Sequence, residues 1–284
     1  LSKLRASKIF NVNSRLAFET FMSYGKQLSR QSALYAYYFC ADRTPEGYET
    51  GYPVWYFHPL LQHLDAALFD THYLANVLAE RYAIPDIAVD KLKPLYTPAQ
   101  VALANPPMAE RVANPENSRR PRILWAGRLD RQKRFDRVKD IARAMPDVDF
   151  LCWGKAVLDA PQKNPKLPSN MTLNPPFNDY NQLPLSDCEG WLYTSDWDGL
   201  PTILIELGAL GVPIVASAVG GVPELIDDST GWPVPENSGN EIYIAALREM
   251  VANRDVRVNR AKALQARVQD RHAMDTYANL VSTL

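Results

Sequence analysis

Apolar runs of four to six residues alternate along this chain with longer segments in which apolar positions return at helical spacing. That alternation is the pattern of parallel strands joined by crossover helices. In the first part it predicts strands over 8–12, 34–39, 67–70 and 91–96, with helices over 14–28, 56–64 and 71–82. The pattern breaks over 97–121, where Pro98, Pro106, Pro107, Pro115 and Pro121 stand among polar residues, so this stretch reads as mostly linker. A fresh alternation follows, with strands expected over 122–126, 149–153, 190–194 and 213–217. From 241 to 284 the composition is helical, enough for two or three helices packed on either unit. The predicted fold class is α/β, as two Rossmann-like, doubly wound parallel-sheet domains.

Composition narrows this picture. The chain has 284 residues and is 46% hydrophobic, enough for two packed cores. Its 31 basic and 32 acidic side chains nearly cancel, so the overall balance points to neither a polyanion nor an anionic membrane as the main partner. Any basic site must be local. Cys40, Cys152 and Cys188 are widely spaced, with no C-x-x-C pair and no histidine cluster, and read as reduced core residues of a cytoplasmic protein. No apolar run reaches the eighteen residues a membrane span needs, and no signal-type segment precedes the first strand. Because residue 1 is Leu and a strand is already expected at 8–12, the chain reads as a piece of a longer, multidomain protein.

Two segments carry chemistry. In 122–136, RILWAGRLDRQKRFD, an apolar strand runs into Gly127, then Arg128, then Lys133 at the start of a helix. Doubly wound sheets bind ligands at the carboxyl ends of their strands, and two cations there suit a diphosphate. Residues 119–139 hold nine Lys or Arg against two Asp, a local excess that the neutral whole conceals. Read as a charge run alone, the same stretch is a solvated helix face, or a basic surface for RNA. In 190–224 a strand ends at Thr194, a tight loop follows through Gly199, and Pro201 is expected as the first residue of a helix that stops at Gly211. That loop brings a positive helix end to the same sheet edge as Arg128. Asp198 before the helix and Glu206 within it suit sugar and ribose hydroxyls better than phosphate, whose charge repels them. The bland alternative is a helix cap for Asp198 and a solvent-facing Glu206.

Taken together, these segments resemble the carboxyl-terminal domain of the GT-B glycosyltransferases of family 4, with its strand, G-R-L-x-x-x-K, and later S-x-x-E-G-L-P with a second Glu eight residues on. Gly127, Arg128, Leu129 and Lys133 match the first part, and Ser195, Gly199, Leu200, Pro201 and Glu206 match the second. Asp198 stands where the family usually has Glu. The likeness continues through GVPIVAS, GGVPE and TGWPVP, and covers 122–235.

The resemblance implies a partial acceptor-side domain over 1–105, a linker over 106–121, a nucleotide-sugar domain over 122–262 and a C-terminal helix over 263–284 that returns to the first domain. It implies a retaining, metal-independent transfer of a hexose from a UDP-, GDP- or ADP-sugar to a glycan or lipid-linked acceptor, as in polysaccharide biosynthesis. The setting would be cytoplasmic, at most peripheral to the inner face of a membrane, and no nucleic-acid partner or cofactor is expected. Arg128, Lys133 and Asp198 would be catalytic. Gly127, Gly199, Leu200, Pro201, Thr202 and Glu206 would hold the donor, with Gly154 and Phe177 beside its base. The Glu-to-Asp change at 198 bears on which hexose is carried more than on the nucleotide. Asp196, Trp197 and Asp198 also spell a D-x-D, which could take a divalent cation. In the first domain His58, His63 and His72 are candidates by residue type only, so no general base is assigned. Tyr35, Tyr37, Tyr38, Tyr48, Tyr52, Trp55 and Tyr56 suit sugar stacking or core packing equally. A nucleotide-sugar-binding module that is inactive alone is the second reading.

Overall fold

The computed structural model describes residues 6–12, 14–52, 54–111, 119–156 and 166–284. In chain order its elements are β1 (Lys8–Val12), α1 (Arg15–Leu28), β2 (Ala33–Arg43), β3 (Glu49–Tyr52), α2 (Phe57–Leu61), β4 (Ala66–Phe69), α3 (His72–Arg81), α4 (Asp86–Val89), β5 (Leu92–Pro94) and α5 (Met108–Arg111). They continue with β6 (Arg122–Ala126), α6 (Phe135–Ala144), β7 (Asp149–Trp153), β8 (Met171–Asn174), β9 (Gly190–Tyr193), α7 (Thr202–Ala209), β10 (Ile214–Ser217), α8 (Val222–Leu225), β11 (Trp232–Val234), α9 (Asn240–Ala252), α10 (Arg254–Arg271) and α11 (Met274–Thr283).

The second sheet has the order β11-β10-β9-β6-β7-β8, with every pair parallel. Counted from β6, the strand order reverses between β6 and β9, and such a switch point opens a crevice at the carboxyl ends of the strands. Alternate residues of each strand enter opposite cores. Leu124, Trp191 and Ile214 pack against Leu204 of α7 and Leu264 of α10, while Ile123, Leu192 and Val215 pack against Val138 of α6 and Leu247 of α9. Burial on both faces is why these strands read as nearly unbroken apolar runs.

The first sheet has the order β1-β2-β4-β5, all parallel, with β3 antiparallel to β2. Its order does not reverse among the described strands, so the switch point lies in the second sheet. One face packs on α1, α2 and α3 through Tyr38, Phe69, Phe18 and Phe57. The other is covered by α11, whose Tyr277 and Val281 meet Tyr35, Tyr37 and Leu68. Tyr35, Tyr37 and Tyr38 are therefore core residues and no sugar platform. Tyr48 and Trp55 are exposed, and the side chain of Tyr52 lies outside the described residues, as does that of Cys40. Cys152 and Cys188 are free and buried, and burial pushes the Cys188 thiol up to about 12. No helix of the described residues is long and apolar enough to cross a membrane.

Among the described residues, the stretch from Ala104 to Ala109 of the expected linker is bonded to the second domain. Ala104 N–H donates to Ala209 O (3.1 Å), Met108 N–H to Leu210 O (3.0 Å) and Ala109 N–H to Gly211 O (3.0 Å). Gly211 has φ +69° and ends α7, and a Cβ there would strike Pro107, so the same glycine stops the helix and seats the linker. Three short strands, β3, β8 and β11, were not evident as strands. The boundary expected at 262/263 falls inside α10, and the return to the first domain happens at His272. There the ring Nδ1 meets Thr97 O at 2.7 Å and the backbone carbonyl accepts from Ala99 N–H at 2.8 Å.

Burial lowers the pKa of His272 more than the Thr97 carbonyl raises it. The fold thus prefers the neutral ring, and stability present above the ordinary histidine value is lost as pH falls through it. The melting temperature is expected to drop between pH 7.5 and pH 5.5, and His272→Gln to flatten that difference. An equal drop in the variant assigns the dependence to other groups.

Candidate functional site

The loops after β6 and β9 meet at the switch point. Thr194 is buried at the end of β9, where its hydroxyl accepts from the Trp125 indole N–H (3.1 Å) and donates to Lys133 O (2.7 Å). Asp196 N–H donates to Gln132 O at 2.9 Å, and Gln132 Nε2 returns a bond to Trp197 O at 2.9 Å. These four bonds hold the two loops as one surface.

On that surface the Lys133 ammonium is ion-paired with Asp198, and Tyr193 donates its hydroxyl to the same carboxylate oxygen at 2.6 Å. The ammonium also stands 5.2 Å from the centroid of the Tyr193 ring. Arg128 pairs with Asp130 at 3.1 Å and donates to Gln132. Both cations line a cavity of about 370 Å³ whose walls include Gly127, Gly154, Trp153, Phe177 and Ile203. Five of the sequence-predicted residues, Gly127, Arg128, Lys133, Gly154 and Phe177, therefore share one cavity, and Asp198 reaches it through Lys133.

The others sit apart from that lining. Leu200 is buried in the core beneath α7, and the Gly199 N–H donates to Asp198 Oδ1 at 3.1 Å. Pro201 precedes the helix instead of starting it. Its φ of −66° and ψ of 128° make it the cap, and Thr202 is the first helical residue. No side chain caps α7. Asp198 is therefore not its cap; the Leu204 N–H closes onto Pro201 O at 3.0 Å, which leaves the N–H groups of Thr202 and Ile203 at the helix start for another acceptor. Lys133 likewise precedes its helix, because Arg134 takes a left-handed φ of 52° before α6 begins at Phe135. Glu206 does not simply face solvent: it accepts the Tyr180 hydroxyl, and burial followed by that carboxylate pushes the Tyr180 phenol upward. Tyr180 in turn meets Phe177 edge-on, with centroids 5.3 Å apart.

The two acids of the D-x-D are held by different cations. Asp196 takes two bonds from Arg134 Nη1 (2.9 and 2.8 Å), whereas Asp198 faces Lys133. No group of three or more metal-ligating side chains occurs among the described residues.

Tyr193, Tyr180 and Gln132 were missed in the sequence. Tyr193 stands one residue before the end of a predicted strand at the ligand-binding edge, and that placement alone could have singled it out. Nothing local marks Tyr180, which reaches Glu206 across 26 residues. In the first domain His58 stacks on Tyr82 at 4.9 Å, and the His63 ring packs over Gly25. His72 begins α3, where its N–H (3.1 Å) and that of Tyr73 (2.6 Å) donate to Glu224 of the second domain. Glu224 also accepts from Tyr96 at 2.7 Å, which clasps the two domains together.

Gly154 is where the β6 and β7 loops touch. A Cβ there would fall well inside contact distance of the Gly127 carbonyl oxygen, a backbone atom that cannot swing away. Gly154→Ala is expected to cost about 1–3 kcal/mol of stability. It should also displace the loop that carries Arg128. Thermal melts would report the loss, and a variant with the wild-type melting temperature would show that the loops have room to part.

The chain is similar to known proteins in sequence and in fold. Residues 120–253 match the model of the glycosyl transferases group 1 family. This part, just under half of the chain, is thus similar to a glycosyl transferases group 1 domain. The sequence is 29% identical over 166 residues to an uncharacterized 41.2 kDa protein in the cps region of Klebsiella pneumoniae, covering 55% of this chain and 45% of that one. It is 37% identical over 62 residues to the amylovoran biosynthesis glycosyltransferase AmsK of Erwinia amylovora, covering 22% of this chain and 15% of AmsK. The match thus spans less than half the length of either curated relative. In structure the chain is similar to Anabaena Alr3699/HepE in complex with UDP, with a TM-score of 0.75 at 14% identity over 98% of this chain and 79% of that one. The two domains together have the GT-B fold, with two Rossmann-like units facing each other across the clasp at Glu224.

Proposed function

We propose that the second domain binds a nucleoside-diphosphate sugar in the cavity at its switch point and that the chain transfers the hexose to a glycan or lipid-linked acceptor in polysaccharide biosynthesis. The observation that carries this reading is the meeting of Arg128, Lys133 and the uncapped start of α7 around one cavity. As the anomeric bond breaks, negative charge grows on the departing diphosphate. Fixed cations and free N–H groups aimed at it stabilise that charge without reorganising.

In this reading Arg128 and Lys133 grip the diphosphate, Asp198 accepts a hydroxyl of the sugar, and Glu206 accepts the ribose hydroxyls. Trp153, Gly154 and Phe177 flank the base. Lys133 leaves Asp198 as the diphosphate arrives, which frees the carboxylate for the sugar. The transfer retains the anomeric configuration and needs no metal ion, because the paired cations supply the charge that a metal would. The Anabaena protein similar in fold is described in complex with UDP-glucose, which favours UDP among the candidate nucleotides.

The test is a thermal-shift screen of the chain against UDP, GDP and ADP, followed by turnover of the matching sugar nucleotide in excess chelator. A shift with one nucleotide and chelator-resistant turnover are expected. No shift with any of the three would end the donor-site reading. Activity abolished by chelator would return the D-x-D to consideration.

A further inference from the structure

Behind the loop that carries Asp198 lies a second and larger cavity, of about 610 Å³, walled by both domains. Arg43 and Tyr73 reach it from the first domain, and Arg131, Arg134, Arg137 and Ser195 from the second. Asp196 and Glu236 are the acids in its lining, so four guanidiniums face two carboxylates.

Most of this charge is matched locally. Arg134 is bound by Asp136 at 3.0 Å and by Asp196 at 2.8 Å, and Arg131 is paired with Glu46 across the domains. Arg137 is different. Its side chain is 11% exposed, and its nearest carboxylate oxygen, on Asp196, is 3.9 Å away on a residue already engaged by Arg134. Its remaining contacts are neutral: Nη1 donates to the Tyr243 hydroxyl at 2.9 Å, Nη2 to Ser238 O at 3.4 Å, and the guanidinium lies over the Tyr243 ring at 4.9 Å. Its Nε–H has no hydrogen-bond partner among the described residues. The Ser195 hydroxyl on the same wall is also without one, although Ser195 is only 1% exposed. A largely buried cation whose one ion-pair partner is shared with Arg134, with an unused buried hydroxyl lining the same cavity, is costly to keep unless something anionic completes the set.

We infer that this cavity is an anion subsite for the acceptor: Arg137 and Ser195 hold a carboxylate or phosphoryl group of the acceptor, with Arg43 facing it from the first domain. The inference rests on the donor reading for the word acceptor. Ser195 and Asp196 line this cavity, while Asp198, two residues on, pairs with the lysine of the donor cavity. An anion seated here would lie immediately beside the transferred sugar, on the side closed by the first domain. The oxyanion has two possible carriers, a hexuronate in a glycan or the phosphoryl group that joins a sugar to a lipid.

The experiment measures the affinity of the whole chain for methyl glucuronide, methyl glucoside and methyl phosphate, with UDP saturating so that the diphosphate seat is filled. Wild type is expected to bind at least one anionic probe ten times more tightly than the neutral glucoside. A gain with the glucuronide points to a hexuronate acceptor, and a gain with methyl phosphate to a phosphoryl acceptor. Arg137→Gln should bring the preference down to near unity. Ser195→Ala, which removes a hydroxyl that no described group uses, should keep the fold and lower the preference severalfold. Equal affinity for charged and neutral probes in wild type overturns the proposal, as does a preference that survives Ser195→Ala and Arg137→Gln. If UDP itself fails to bind, the donor reading falls, and the same comparison without UDP still decides whether the cavity takes an anion.

Discussion

Arg128→Ala is expected to lower turnover of the sugar nucleotide by two to three orders of magnitude, read as the rate of nucleoside diphosphate release. The guanidinium lines the cavity beside Lys133, and its present partners, Asp130 and Gln132, sit on its own loop. It is held in place without being committed to the far wall. Losing one fixed donor to a developing oxyanion costs on the order of 3–4 kcal/mol, because the loss falls on the transition state more than on the bound donor. The KM for the donor should therefore rise far less than kcat falls. Arg128→Lys should recover little, since an ammonium cannot present two parallel N–H groups to a phosphate. A variant with unchanged rate and unchanged donor affinity would remove Arg128 from the mechanism.

Asp198→Ala should separate nucleotide binding from transfer. In the free protein the Asp198 carboxylate is paired with the Lys133 ammonium, and its removal leaves that ammonium available to a diphosphate. UDP should bind as tightly as to wild type or more tightly. Transfer should fall by roughly ten- to hundredfold, from a lost charged hydrogen bond of about 1.5–3 kcal/mol to a sugar hydroxyl. Glu206→Ala is expected to do the opposite and weaken UDP itself. Calorimetric titration with UDP beside initial rates distinguishes the two. If both substitutions weaken UDP equally, the division of labour between the acids is wrong. Asp198→Glu lengthens the arm by one methylene and tests whether the shorter acid matters for the choice of hexose.

The parts of this site that could be read along the chain are those whose chemistry is local. Gly127, Arg128 and Lys133 follow one strand within seven residues, and Asp198 to Glu206 follow another within nine. A parallel sheet must deliver the ends of both strands to the same edge. Strands β6 and β7 were predicted to the residue because both of their faces are buried and their apolar runs are unbroken. The short strands β8 and β11 were not, since three or four residues beside prolines and exposed positions carry too little periodicity to stand out.

Sequence by itself determined the α/β class, the two apolar cores and the placing of Arg128, Lys133 and Asp198 at one sheet edge, since apolar period and strand order are written in consecutive residues. Tertiary structure alone decided what faces what across the domains. The Lys133–Asp198 pair, the Tyr180 hydroxyl on Glu206, the Glu224 clasp on α3, and an arginine left beside an unused serine all join residues 26 to 152 positions apart. Contacts at such separations depend on how whole elements pack, and packing leaves no period in the chain.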